Sequence, residues 1–292
     1  TRQRAEVLRE GLDRLAFTRH LPFPVEVIVT DNDSTDGTKE VVESFLQKIP
    51  IRYFRHSEDR GAEANLLSAF RRARGTWCVY LADDDFLEPE ALQKTIQKLE
   101  KTPGAVAAYA PWEQVDGLTG AYQGPALNMG PETTFRKEEA MLLFGRIAQN
   151  WIFPEIGIYR TEAAQRWMTP VQRQHWAFVW IFRMLKEGPV LLQPEPFYHF
   201  QTRNKHATSH LGVEQVIERL DHYRAGMEEG LRLALQLSPP ARRPEYQKLG
   251  MELVTHFMAG RIWNAANVAM KDRKSTRLNS SHSSVSRMPS SA

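Results

Sequence analysis

YLADDDFLEP, residues 80–89, ends an apolar run in three consecutive aspartates, then returns to Phe-Leu and the start of a helical pattern. Adjacent carboxylates repel one another, and an unpaired buried charge is expensive. Three of them belong only where water or a cation can reach. Upstream, TWCVYLA (76–82) is almost wholly apolar, as expected of a strand buried on both faces. Downstream, EPEALQKTIQKLEK (88–101) has helical spacing, with Pro89 near its first turn. The same arrangement occurs once earlier. VEVIVTDND (25–33) is a strand ending in Asp31-Asn32-Asp33, and Ser34, Thr35 and Asp36 then suit a helix cap before Val41, Val42, Phe45 and Leu46.

Between and around these stretches, helices and strands alternate. Residues 5–16 and 61–74 read as helices, and 51–56 and 105–115 as strands. The alternation predicts an α/β fold with a mostly parallel sheet flanked by helices. Ligands of such sheets bind at the carboxyl ends of the strands, where both acidic clusters fall. HWAFVWIFRMLKEG (175–188) predicts an apolar helix and PVLLQPEPFYHF (189–200) an extended segment. QTRNKHATSH (201–210) reads as a polar, basic loop, and 213–270 as amphipathic helices broken at SPPARRP.

The chain has 292 residues and a formal charge of +3. Four of its 38 basic and one of its 35 acidic residues fall in the last 21, leaving 34 of each sign in the remainder. The basic balance is therefore a property of the tail and gives no support for nucleic-acid binding. DRKSTRLNSSH (272–282) resembles a translated sequencing adapter, so 272–292 is expected to be a disordered tail outside the fold. The single cysteine, Cys78, excludes an intrachain disulfide and reads as a small buried hydrophobe. A reducing cytoplasmic setting is the default. No run reaches the ~18 apolar residues of a membrane span.

VEVIVTDNDSTDGT (25–38) and YLADDDFLEPEAL (80–92), about 50 residues apart, resemble the two signature stretches of family 2 glycosyltransferases. RGAEANLLSAFRRARG (60–75) is similar to the helix between them. The resemblance covers about residues 1–200. It implies the GT-A fold, with C-terminal helices added, and an inverting transfer of sugar from a nucleotide sugar, UDP-linked foremost, to a hydroxyl acceptor. By position, Asp31 and Asp33 would serve the nucleoside and Asp83 the ribose. Asp84 would be the main ligand of Mn²⁺ or Mg²⁺, with Asp85 a second ligand or a support. The family's motif often reads Asp-Ala-Asp; here Ala82 holds its first position, so the acids are shifted by one. Arg60 and Asn65 either line the nucleotide pocket or belong to the helix surface. The family's first strand would end at Thr1. Within the transferase domain (1–200), residues 1–115 would form the nucleotide-binding part and 116–200 the acceptor side. Residues 201–271 would be a loop and helical extension.

Inverting transfer needs a base for the acceptor proton. Members of the family often place Glu-Asp before an aromatic helix; here those positions are Trp176 and Ala177, while Arg183 aligns. His175, whose ordinary pKa suits a base, is the first candidate and Glu155 the second. Arg203 and Lys205, with His206 and His210 in the same loop, would close over the diphosphate, or the loop is simply solvated. A glycan or lipid-linked acceptor of bacterial surface polysaccharide is the family's implication. So is a cytoplasmic location, with peripheral contact at the inner membrane face left open. Two other functions fit the same fold: a nucleotidyltransferase, and a non-catalytic nucleotide- or glycan-binding protein.

Overall fold

The computed structural model describes residues 1–202 and 213–283. In chain order the strands are β1 (Val27–Asp31), β2 (Ile51–Arg55), β3 (Trp77–Val79), β4 (Phe86–Leu87), β5 (Ala107–Tyr109), β6 (Trp112–Val115), β7 (Tyr122–Pro125), β8 (Thr133–Phe135), β9 (Gly157–Arg160), β10 (Val190–Leu192) and β11 (Tyr198–Gln201). The α-helices are α1 (Ala5–Arg14), α2 (Thr38–Phe45), α3 (Ala62–Arg72), α4 (Pro89–Lys101), α5 (Ala140–Gln149), α6 (Thr161–Trp167), α7 (Trp176–Glu187), α8 (Val213–Leu237) and α9 (Arg243–Ser283).

Five strands in the order β3-β9-β5-β10-β8 form the central sheet. It is mixed, because β9 runs antiparallel between β3 and β5 and β8 antiparallel beside β10, while β5 and β10 are parallel. The period of two decides its faces. Ala107 and Tyr109 point into the larger core with Phe144, Phe178, Trp180 and Phe182, beneath α5 and α7. Ala108, Ile158 and Leu191 point the other way, onto Leu92 and Leu99 of α4. Each fully buried aromatic or aliphatic side chain contributes about 1.5–3 kcal/mol, so these two layers hold the sheet in place. Parallel β1 and β2 form a separate pair, packed by Val7, Leu8 and Leu12 of α1 and Val41, Val42 and Phe45 of α2.

Two predicted strands are each divided. Residues 105–115 become β5 and β6, because Pro111 has no N–H to donate to a ladder. The second half joins a small sheet, β4-β11-β6-β7. Pro194 and Pro196 divide 189–200 into β10 and β11 in the same way. β3 is shorter and less buried than its apolar sequence predicts. It is an edge strand among the described residues, and all three of its residues are half-buried. Breaks at Gly61, Gly188 and Ser238–Arg242 fall where the sequence places them. Among the described residues no helix is long and apolar enough to cross a membrane.

Candidate active site

Both acidic clusters lie at carboxyl ends of strands. Asp31 closes β1 and is almost fully buried, 1% exposed. It accepts from the Ser34 N–H at 2.9 Å and from the Tyr53 hydroxyl at 2.5 Å. Burial, reinforced by the Asp31 carboxylate, raises the Tyr53 pKa, so Tyr53 remains the donor. Thr1 lies alongside: its amino group donates to the Thr30 carbonyl at 3.0 Å, and the Asn32 N–H donates to the Thr1 carbonyl at 3.0 Å. That is the pattern of a one-residue parallel bridge opposite Asp31. Asp33 has left-handed backbone (φ 62°) and pairs with Arg55 at 3.0 Å. Asn32 accepts from the Arg60 N–H at 2.9 Å. Asn65 is buried on α3, where its side-chain amide donates to the Thr30 carbonyl at 3.1 Å; its Oδ1 is buried without a partner. Asp31, Asp33, Arg60 and Asn65 thus gather at one strand end, although Arg60 is brought there by its backbone.

Asp83, Asp84 and Asp85 follow β3. Arg4, just before α1, grips the first two, with Nη1 at 2.5 Å from Asp83 Oδ1 and Nη2 at 2.7 Å from Asp84 Oδ2. Burial works against the Arg4 charge, but the carboxylates outweigh it and its pKa is raised. The second oxygen of Asp83 is buried without a hydrogen bond. Asp85 faces inward: it accepts from the Tyr198 hydroxyl at 2.7 Å and the Gln201 N–H at 2.9 Å. Burial pushes its carboxyl up to about 7, against those two hydrogen bonds and helped by Asp84 and Asp83. The Gln201 side chain also donates to the Asp84 carbonyl. Gly11 of α1 lets this loop come close, since a Cβ there would lie 2.5 Å from the Asp83 carbonyl oxygen. Thr1 feels the field of both Asp31 and Asp83, which places the two clusters together.

Among the described residues no group of three or more His, Cys, Asp or Glu side chains is arranged to hold a metal. Asp83 and Asp84 offer a pair of adjacent carboxylates with one unsatisfied buried oxygen. Mg²⁺ and Mn²⁺ suit such a site, being commonly held by one or two carboxylates with substrate phosphates completing the shell.

A cavity of ≈ 500 Å³ opens near this rim without Asp83, Asp84 or Asp85 in its lining. Glu155, immediately before β9, and His175, immediately before α7, both line it. β9 is antiparallel to β3 and β5, so its beginning meets their carboxyl ends and puts Glu155 on the same rim as the aspartates. Tyr80 lies within the electrostatic reach of Glu155 and of Asp83, Asp84 and Asp85, and burial with these charges raises its pKa. Burial raises the Glu155 carboxyl, opposed by Arg219. Burial lowers His175 to about 4, with His222, Arg261 and Arg219 adding to the effect. Trp112, Phe153 and Tyr223 supply aromatic walls, and Arg219, His222 and Arg261 the remaining polar lining.

The sequence pattern brings forward the aspartates, Glu155 and His175. It misses Arg4, Tyr53, Tyr198 and the cavity residues on α8 and α9. Arg4 sits in TRQRAEVLREGL (1–12), which resembles the segment just after the family's first strand, the one signal that marks it. The α8 and α9 residues carry no motif spacing. Arg203 and Lys205, with His206 and His210, lie outside the described residues. Arg183 does not line the cavity; its Nη1 donates to the Trp167 carbonyl at 3.2 Å and to the Thr169 hydroxyl at 2.9 Å.

Comparison with known proteins places the chain in a family and a fold. Over 94 residues the chain is 32% identical to abequosyltransferase RfbV of Salmonella typhimurium, a match spanning 32% of this chain and 28% of that protein. It is 31% identical over 109 residues to an uncharacterized protein of Mycobacterium tuberculosis, spanning 36% of this chain and 31% of the other. The chain therefore spans under a third of the length of these relatives. Staphylococcus aureus TarS 1-349, solved in complex with UDP-GlcNAc, superposes with a TM-score of 0.57 at 13% identity, over 91% of this chain and 90% of that one. The mannosyltransferase PcManGT of Pyrobaculum calidifontis, solved with GDP-Man and Mn²⁺, gives 0.55 at 15% identity, over 94% and 77%. At such identities the likeness shows the fold, which is GT-A. The profile of Glycosyl transferase family 2 matches residues 1–159, from before α1 through β9 and more than half of the chain. The chain belongs to Glycosyl transferase family 2.

Proposed function

We propose that the protein is an inverting glycosyltransferase that moves a sugar from a nucleoside-diphosphate sugar to a hydroxyl acceptor. The observation that carries this reading is the shared rim: two carboxylates gripped by Arg4, and a cavity containing the half-buried Glu155 carboxylate of raised pKa. The first half suits a charged donor, and the second an acceptor that must lose a proton. The likeness to an abequosyltransferase supports sugar transfer over nucleotidyl transfer.

In this mechanism Asp31 and its neighbours hold the nucleoside, and Asp83 the ribose. Asp84 would be the main ligand of a divalent cation, which would supply positive charge against the diphosphate leaving group. Asp85 serves as a support, since both its oxygens already accept from Tyr198 and Gln201. Glu155 is the better base. A base works best with a pKa near the operating pH; burial moves Glu155 toward that range and His175 away from it. Glu155 takes the acceptor hydroxyl proton as the oxygen attacks the anomeric carbon. The bond from that carbon to the diphosphate breaks on the opposite face, and the nucleoside diphosphate leaves with the electron pair. His175, neutral at physiological pH, shapes the cavity wall.

A UDP-sugar is the donor we favour, and a surface glycan or lipid-linked saccharide the acceptor, with the reaction at the cytoplasmic face of a membrane. Residues 1–200 would form the transferase unit. The extension contributes to it, because α8 and α9 line the cavity.

The test is calorimetric titration with UDP, GDP, TDP and CMP, each with Mn²⁺ and with EDTA. We expect one diphosphate to bind with Mn²⁺ and weakly or not at all with EDTA, and Asp84→Asn to abolish the difference. A folded protein that binds none of the four would refute the reading.

A further inference from the structure

The cavity lined by Glu155 and His175 holds more positive charge than its own acid can balance. Arg219 and Arg261 both line it, and among the described residues neither forms an ion pair with a carboxylate within 4.0 Å. Among the described residues Glu155 is the cavity's only acidic lining residue, and it senses Arg219. Arg261 is held instead by aromatic faces, its guanidinium 4.8 Å from the Phe153 ring centre and 4.9 Å from that of Tyr223. Its Nε is buried with no hydrogen-bond partner, and so is Nδ1 of His175. A buried donor without an acceptor costs about 1–3 kcal/mol, more when charged. Two orphaned polar atoms in one cavity, beside two guanidinium groups, describe a site built for an anion.

None of the residues at the β1 end, and none of Asp83, Asp84 and Asp85, lines this cavity. The anion is therefore separate from the donor's nucleoside and from the acid loop. It sits beside Glu155, where the hydroxyl to be glycosylated must lie. We propose that the cavity recognises an acceptor carrying a phosphate group close to its reacting hydroxyl, with Arg219, Arg261 and His222 holding the phosphate and Trp112 packing against the acceptor's apolar face. Planar guanidinium forks suit phosphate oxygens, and Glu155, from the approach to β9, lines the same cavity and can reach the hydroxyl. The assignment to an acceptor rests on the transferase reading above.

The test is titration of the full chain with inorganic phosphate and glucose 1-phosphate, with glucose as the uncharged control. Both anions are expected to bind and glucose not to. Arg219→Gln and Arg261→Gln should each weaken both anions about tenfold or more, and Asp84→Asn should change neither. Arg219 is exposed, so Arg219→Gln keeps its fold even if Arg261→Gln, taken from between two rings, does not. Absence of phosphate binding, or affinity unchanged in Arg219→Gln, overturns the inference. A matching loss of nucleoside-diphosphate affinity in Arg219→Gln also overturns it, since the cavity would then serve the donor. Anion binding without any nucleoside-diphosphate binding would leave the anion site standing and overturn its assignment to an acceptor.

Discussion

Asp83, Asp84 and Asp85 are consecutive in sequence but meet different surroundings. The first two share the Arg4 guanidinium, and the third is folded inward onto Tyr198 and Gln201. Arg4 and a divalent cation compete for the same oxygens. Arg4→Met should therefore lower stability by roughly 1 kcal/mol, a value discounted for the partial exposure of the pair, while Mn²⁺ affinity rises several-fold; thermal melts and Mn²⁺ titration read the two effects. Glu155→Gln should cut kcat by about 10²- to 10⁴-fold with donor binding retained. The wild-type acid limb of kcat/KM should lie above the ordinary glutamate range, because the raised carboxyl must ionise before it can accept a proton. His175 gives a stability signature instead. Its folded pKa of about 4 lies below the ordinary 6.5, so between these values the unfolded chain binds a proton that the folded one does not. Stability is full above pH 6.5 and is lost as pH falls toward 4, by up to about 3 kcal/mol. Chemical denaturation across that window should be flatter in His175→Gln. The aspartates were legible in the sequence because three adjacent charges need a reason. Arg4 was not, because a lone arginine before a helix has many ordinary uses.

At the scale of elements, close approaches fix the site. Gly11 brings α1 against the acid loop, and a side chain there must displace backbone. Gly11→Ala should destabilise the protein by about 1–3 kcal/mol and reduce donor affinity more than a remote change of equal cost; melting and nucleotide titration together separate the two. Gly226 performs the same service between α8 and α7, where a Cβ would lie 2.9 Å from the His175 carbonyl. Helices were the most readable elements, since 3.6-residue periodicity and Pro or Gly stops are local signals. Strand identity was readable, but strand division was not fully so: Pro111, Pro194 and Pro196 cut apolar runs whose halves then join different sheets. The antiparallel insertion of β9 depends on long-range pairing that no local pattern records.

For the whole molecule, the acidic clusters were legible and the cavity largely was not. The clusters carry their signals in contiguous stretches, 25–38 and 80–92. The cavity draws Trp112 from β6, Glu155 from the approach to β9, His175 from the start of α7, and its cations from helices more than forty residues further on. Only the packed fold brings them together. That division has a consequence for how such a protein changes over time. The family profile ends at residue 159, and among the described residues both arginines of the cavity lie beyond it, Arg219 on α8 and Arg261 on α9. α8 docks on α7 through Gly226 and Gly230, and α9 reaches α7 through the Phe257 ring against Phe178. On the reading proposed above, recombination or drift in the last third of the gene can trade one acceptor for another while the donor machinery is inherited intact.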